Sequence, residues 1–180
     1  IPDNFIRYIR KWKDHSLVIA TSNGLSIVNP QNGQCQTILI PARKEILRQT
    51  NYIVDLEITS NNEIVAGSST GVYVFNSRLQ LVAKLEAGYT PEDIGKKRFL
   101  FCTGITSFSN GDILVSTIKG VMFYDHQKKI FFPFIEHINP FYRQLAFHLS
   151  QDPHHVFSLD KRNRFFCIDY IDPKNQIIIF

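Results

Sequence analysis

The chain has 180 residues, 44% of them apolar, 13% aromatic and 20% charged, with a formal net charge of +4. That is enough apolar material for a sizeable core, and no Lys/Arg block reaches five, which excludes a polybasic nucleic-acid arm. No run approaches the ~18 apolar residues of a membrane-crossing helix, and fifteen Phe suit sheets better than helix bundles.

In chain order, Asn4–Lys11 reads as a strand before a polar turn at Asp14. Leu17–Thr21 and Leu25–Asn29 form a hairpin around Ser22-Asn23-Gly24, and Pro30 with Asn32-Gly33 turns the chain into Cys35–Ile40. The same sentence returns as Ile53–Thr59, Glu63–Gly67, Gly71–Phe75 and Leu81–Leu85. A third copy runs Gly104–Phe108, Asp112–Thr117, Gly120–Tyr124 and Lys129–Phe134. A fourth and weaker one runs Leu145–Leu149, His155–Leu159, Phe165–Asp169 and Ile177–Phe180. The hairpin positions Gly24, Gly71, Gly120 and Arg164 are spaced 47, 49 and 44 residues apart, and a turn precedes each by ten residues. A repeat of ~40–50 residues made of short strands is the signature of propeller blades. The fold class is therefore all-β, with four four-stranded meanders over about residues 1–40, 53–85, 104–134 and 145–180 in one β-propeller segment of a larger propeller. The edge strands Asn4–Lys11 and Ile177–Phe180 would then pair with further blades. The chain begins at Ile1 with no signal-peptide pattern, so it reads as a processed or excerpted piece.

The connections between copies, Pro41–Tyr52, Glu86–Thr103 and Pro133–Gln144, exceed tight turns. Thr90-Pro91-Glu92-Asp93 carries a helix cap with Pro at the first position, and Lys44–Arg48 can make a helical turn. In a meander blade these connections and the hairpin turns emerge on one face, where function usually sits on a rigid scaffold.

The copies IATSNGLSIVNPQNG, AGSSTGVYVFNSR and VSTIKGVMFYDHQ, with SLDKRNRFFCIDY lacking the glycine, resemble the two-component regulator propeller repeat. The resemblance covers essentially the whole chain. Val18, Ile64 or Val65, and Leu114 stand where that repeat usually carries Trp. The resemblance implies the sensor region of a hybrid two-component histidine kinase of Bacteroidetes type, sited in the periplasm or otherwise outside the cytoplasm. It implies ligand sensing, with glycans among the ligands, and no catalysis by this segment. Signalling would pass to neighbouring blades or domains of the same parent, through a ligand that binds one domain arrangement better than another.

Catalytic and cofactor patterns are missing. The stretch from Gly88 to Lys97 has the wrong spacing for a phosphate loop, and GxSxG does not occur. His154 and His155 are strand neighbours that point apart, while His15, His126 and His137 fall in loops, so neither a metal nor a cofactor is expected. Cys35, Cys102 and Cys167 show no CxxC spacing and read as small buried hydrophobes.

The basic residues of the loop face are the candidate ligand site: Arg43, Lys44, Lys96, Lys97, Arg98 and Arg162, with Tyr142 available to stack on a sugar ring. They would attract an oligosaccharide, an acidic one above all, or another small anion. The plainer reading of the same residues is a set of solvated loops. Neither nucleic acid nor membrane contact is expected of this segment. The alternative is an intracellular, WD40-like protein-interaction scaffold in the cytoplasm, which three unpaired cysteines and the absence of an Asn-x-Ser/Thr sequon suit, although Trp-Asp and Gly-His signatures are missing.

Overall fold

The computed structural model describes residues 3–97, 99–118 and 120–133, without the side chains of Gly120, Val121 and Pro133. Beyond these it describes the backbone of four further strands in 146–179. Blade one holds β1 (Ile6–Lys11), β2 (Leu17–Thr21), β3 (Gly24–Val28) and β4 (Cys35–Ile38). Blade two holds β5 (Ile53–Ile58), β6 (Ile64–Ser68), β7 (Gly71–Phe75) and β8 (Leu81–Glu86). Blade three holds β9 (Cys102–Ser107), β10 (Ile113–Thr117), β11 (Gly120–Asp125) and β12 (Ile130–Pro133), and blade four holds β13 (Ala146–Leu149), β14 (His155–Leu159), β15 (Phe165–Asp169) and β16 (Ile177–Ile179). Each blade is a separate four-stranded antiparallel meander in chain order.

The blades meet through side chains. Val18, Ala20, Leu25 and Ile27 of blade one share a core with Ile53, Leu56, Ile64, Ala66, Tyr73 and Phe75 of blade two. The alternate residues Val54, Val65, Val72 and Val74 of blade two face Cys102, Ile105, Ile113, Val115 and Tyr124 of blade three. Each middle strand of blade two therefore has two buried faces, which is why Ile64–Ser68 and Gly71–Phe75 are buried throughout. Each fully buried Ile, Leu or Val contributes about 1.5–3 kcal/mol. Side-chain faces close the junctions between these blades, while the first strands β1, β5, β9 and β13 run as successive neighbours.

Two expectations change. The third copy starts at Cys102 rather than Gly104, because a register shift between Ser116 and Thr117 lets β9 pair two residues further. Cys35 is exposed, since β4 is the outermost strand and its first three residues face solvent; Cys102 is buried as expected. The Cys167 side chain lies outside the described residues.

The hairpin glycines answer to crowding by the outer strand. A Cβ on Gly24, whose φ is +100°, would lie 2.8 Å from the Ile38 carbonyl oxygen, and one on Gly71 would collide with the carbonyl oxygen of Leu85.

Candidate functional site

The hairpins and the long connections do share a face. Ser22 N–H donates to Phe5 O (3.2 Å), Ser69 N–H to Tyr52 O (3.3 Å) and Ile118 N–H to Phe101 O (3.1 Å), so the hairpin turns of blades one, two and three close on the starts of their own first strands. Between blades one and two, Gly24 N–H donates to Asn51 O (2.7 Å). The buried Asn51 amide accepts from Ile40 N–H (2.7 Å) and donates to Ile40 O and Leu47 O (3.0 Å each), which anchors the whole connection.

That connection folds as a 3-10 turn over Lys44–Ile46 and a short helix α1 (Leu47–Thr50). The next connection holds α2 (Pro91–Gly95), started by a capping box between Thr90 and Asp93 with Pro91 in the first turn. Ile46, Tyr89, Phe99 and Leu100 form a small core joining the two connections, and the Tyr89 and Phe99 rings meet edge to face at 5.3 Å. The Tyr89 hydroxyl donates to Thr70 O and accepts from Leu100 N–H, and burial raises its pKa above the ordinary tyrosine value.

Between these connections lies a cavity of ≈ 410 Å³ lined in part by Arg43, Ile46, Lys84, Glu86, Gly88 and Tyr89. Arg43 Nη2 donates to Tyr89 O at 2.6 Å, which leaves the rest of the guanidinium for other acceptors. Lys84 Nζ donates to Glu86 Oε2 at 2.7 Å, and Glu86 Oε1 accepts from the Tyr73 hydroxyl at 2.7 Å. Behind Tyr73, Thr70 Oγ1 lies 3.0 Å from both the Tyr73 hydroxyl and Thr50 Oγ1 and 3.2 Å from Ser68 Oγ. Burial, followed by the effect of the Glu86 carboxylate, drives the Tyr73 pKa well up, so the phenol keeps its proton and serves as a donor. Tyr73, Thr70, Thr50 and Ser68 are fully buried behind Glu86 and fix its carboxylate, so the charged groups that line the cavity itself are Arg43 and the ion-paired Lys84 and Glu86.

Of the residues proposed from the sequence, Arg43 lines this cavity. Lys44 is exposed one residue on. Lys96 is exposed and donates to Glu92 at 2.6 Å, which offsets its charge, and Lys97 is exposed with a left-handed φ of 53° at the exit of α2. Arg98, Tyr142 and Arg162 lie outside the described residues. Lys84 went unrecognised because it stands on the outer strand β8, 41 residues from Arg43, and only the folded chain brings them to one cavity. Among the described residues no group of three or more His, Cys, Asp or Glu could hold a metal ion.

The opposite face stitches blades two and three. The Glu63 side chain is 4% exposed; Oε1 accepts from Lys129 Nζ at 2.7 Å, and Oε2 lies 2.8 Å from His126 Nδ1. Asn61 Nδ2 sits 3.0 Å from His126 Nε2, and His126 N–H donates to Asp112 Oδ1. Nearer the first strands, Asp55 Oδ2 accepts from Ile105 N–H at 2.8 Å and Glu57 Oε1 from Ser107 Oγ at 2.7 Å. These two carboxyls sit above their ordinary pKa values, chiefly through burial.

No family model and no curated protein matches the chain. Among solved structures it is similar to the extracellular domain of the hybrid two-component system BT3049 from B. thetaiotaomicron, with a TM-score of 0.64, 16% identity, 99% of this chain covered and 25% of that one. It is also similar to the extracellular domain described for the hybrid two-component system BT4673 of the same organism, with a TM-score of 0.61, 20% identity, and 88% and 20% coverage. A further structure of a BT4673 extracellular domain, described as a one-component system, gives 0.61, 14% identity, and 99% and 29% coverage. The chain spans about a quarter of the length of these domains, and the likeness is one of fold, a section of propeller blades.

Proposed function

We propose that the chain is a sensor segment of a two-component signalling protein, placed outside the cytoplasm and without catalytic activity of its own. Its loop face binds a small anionic ligand, an acidic oligosaccharide foremost. The observation that carries this reading is that Arg43 and Lys84 line one cavity of the loop face. A guanidinium with free N–H groups suits a carboxylate or sulfate. The fold shared with extracellular domains of two-component systems supports the signalling context. So do the hairpin motifs that resemble the two-component regulator propeller repeat. Blade two packs through both faces against its neighbours, so a bound ligand would act by favouring one placement of this segment against its neighbours in the parent protein.

The test is calorimetric titration with acidic and neutral oligosaccharides at low and high salt. Binding of an acidic member that weakens with salt, and that falls at least tenfold in the Arg43→Glu, Lys84→Glu double variant, is the expected result. Binding that ignores salt and both substitutions refutes the site.

A further inference from the structure

A second cavity opens on the same face, nearer the first strands. It encloses ≈ 510 Å³ and is lined by Asp3, Phe5, Ser22, Asn23, Arg48 and Tyr52. That is within the ~300–1,000 Å³ usual for small-molecule sites. Three of its features bear on what it could hold.

The acid is fixed and charged. Asp3 accepts from Ser22 Oγ and from Phe5 N–H at 2.8 Å, and these bonds, the serine's first, hold its carboxyl below the ordinary value. An ionised carboxylate offers about four acceptor sites, so two donors leave it with capacity.

The base is near but not paired with it. The charge of Arg48 also helps to lower the Asp3 carboxyl, yet no ion pair joins the two, and among the described residues Arg48 has no ion-pair partner. The cavity therefore presents a carboxylate and a guanidinium that make no ion pair with each other.

The apolar walls are set. Arg7 lies 5.1 Å from the centre of the Tyr52 ring and donates to its hydroxyl at 2.8 Å, which holds the ring in place, while Phe5 leaves 60% of its surface exposed.

A simple anion in this cavity would meet Asp3, and a simple cation would meet Arg48. A ligand bearing both charges satisfies both, and an apolar body between them covers Phe5 and Tyr52. We propose that this cavity is a binding site for a small zwitterion, a free α-amino acid, with its ammonium on Asp3, its carboxylate on Arg48 and its side chain against Phe5 and Tyr52. The site is separate from the Arg43 and Lys84 cavity and takes a different ligand class, so each stands or falls alone.

The probes are L-phenylalanine, its decarboxylated amine phenethylamine and its deaminated acid 3-phenylpropionate, titrated into the chain by NMR, with the other free L-amino acids as a panel. The expected result is saturable binding of an amino acid, with the two truncated analogues at least tenfold weaker, since each leaves one charged group unanswered. Asp3→Asn should erase the preference over the acid, and Arg48→Gln the preference over the amine, while the Arg43→Glu, Lys84→Glu variant binds as the original does. Arg48 is exposed, so its variant reports on binding even where Asp3→Asn loosens the start of the chain. Failure of every amino acid to saturate, equal binding of the truncated analogues, or indifference to both substitutions would overturn the proposal.

Discussion

Lys129→Met is the sharpest probe of how blades two and three are held together. The lysine belongs to the hairpin turn before β12 and donates across the junction to Glu63, whose side chain is 4% exposed. Removing one member of a fully buried pair costs about 3–5 kcal/mol, because the remaining charge is left without a partner. Here Lys129 is 36% and His126 23% exposed, so water reaches the vacated place, and the cost drops to roughly 1–2 kcal/mol. Lys129 sits at a φ of +57°, and methionine keeps that backbone strain the same, whereas glycine would relieve it and mix two effects. Glu63→Gln leaves a lysine able to turn to solvent and should cost less, about 1 kcal/mol. The assay is urea unfolding of the two single variants and the double variant. Coupling of about 1 kcal/mol between the two sites is expected. A loss under about 0.5 kcal/mol in Lys129→Met, or zero coupling, would refute the view that this contact holds the junction.

Three further perturbations follow from the same geometry. Gly71→Ala drives a Cβ into the Leu85 carbonyl and should destabilise by about 2–3 kcal/mol in thermal or urea unfolding; a variant as stable as the original would show that β8 can move away. Tyr73→Phe removes a buried hydroxyl that serves Glu86 and Thr70, with an expected loss of about 1–3 kcal/mol and unchanged secondary structure by circular dichroism. Burial raises the Glu57 carboxyl above its ordinary 4.5, so the folded state favours its protonated form; that contribution is complete below pH 4.5 and lost as pH rises through the folded value. Glu57→Gln keeps an acceptor for Ser107, so its stability relative to the original should improve from pH 4.5 upward, and a pH-independent difference would contradict the assignment.

What the sequence revealed tracks how local each determinant is. The hairpins around Gly24 and Gly71, the ten-residue interval to the preceding turn and the Thr90 cap all rest on neighbours in the chain, and each stands where the sequence pattern puts it. The shared loop face followed from meander geometry and is borne out by Ser22, Ser69 and Ile118 closing on their own first strands. The cross-blade partners were not legible. Glu63 and His126 stand 63 residues apart, and Asp55 meets Ile105 only because a bulge between Ile53 and Asp55 sets which residues of β5 face blade three. Arg43 was readable as a loop cation, but its cavity partner Lys84 lay in what read as an ordinary outer strand. Cys35 was misplaced for a similar reason, since an outer strand can look apolar in sequence and still face solvent.

The measurement that tests the central claim most directly is amide chemical-shift mapping of the chain titrated with an acidic oligosaccharide. Ligand sensing by the loop face predicts saturable shifts centred on Arg43, Lys84, Glu86 and Tyr89 that shrink as salt rises. Shifts confined to the opposite face, around Asn61, Asp112 and His126, or no saturable shifts with any acidic saccharide, would contradict it.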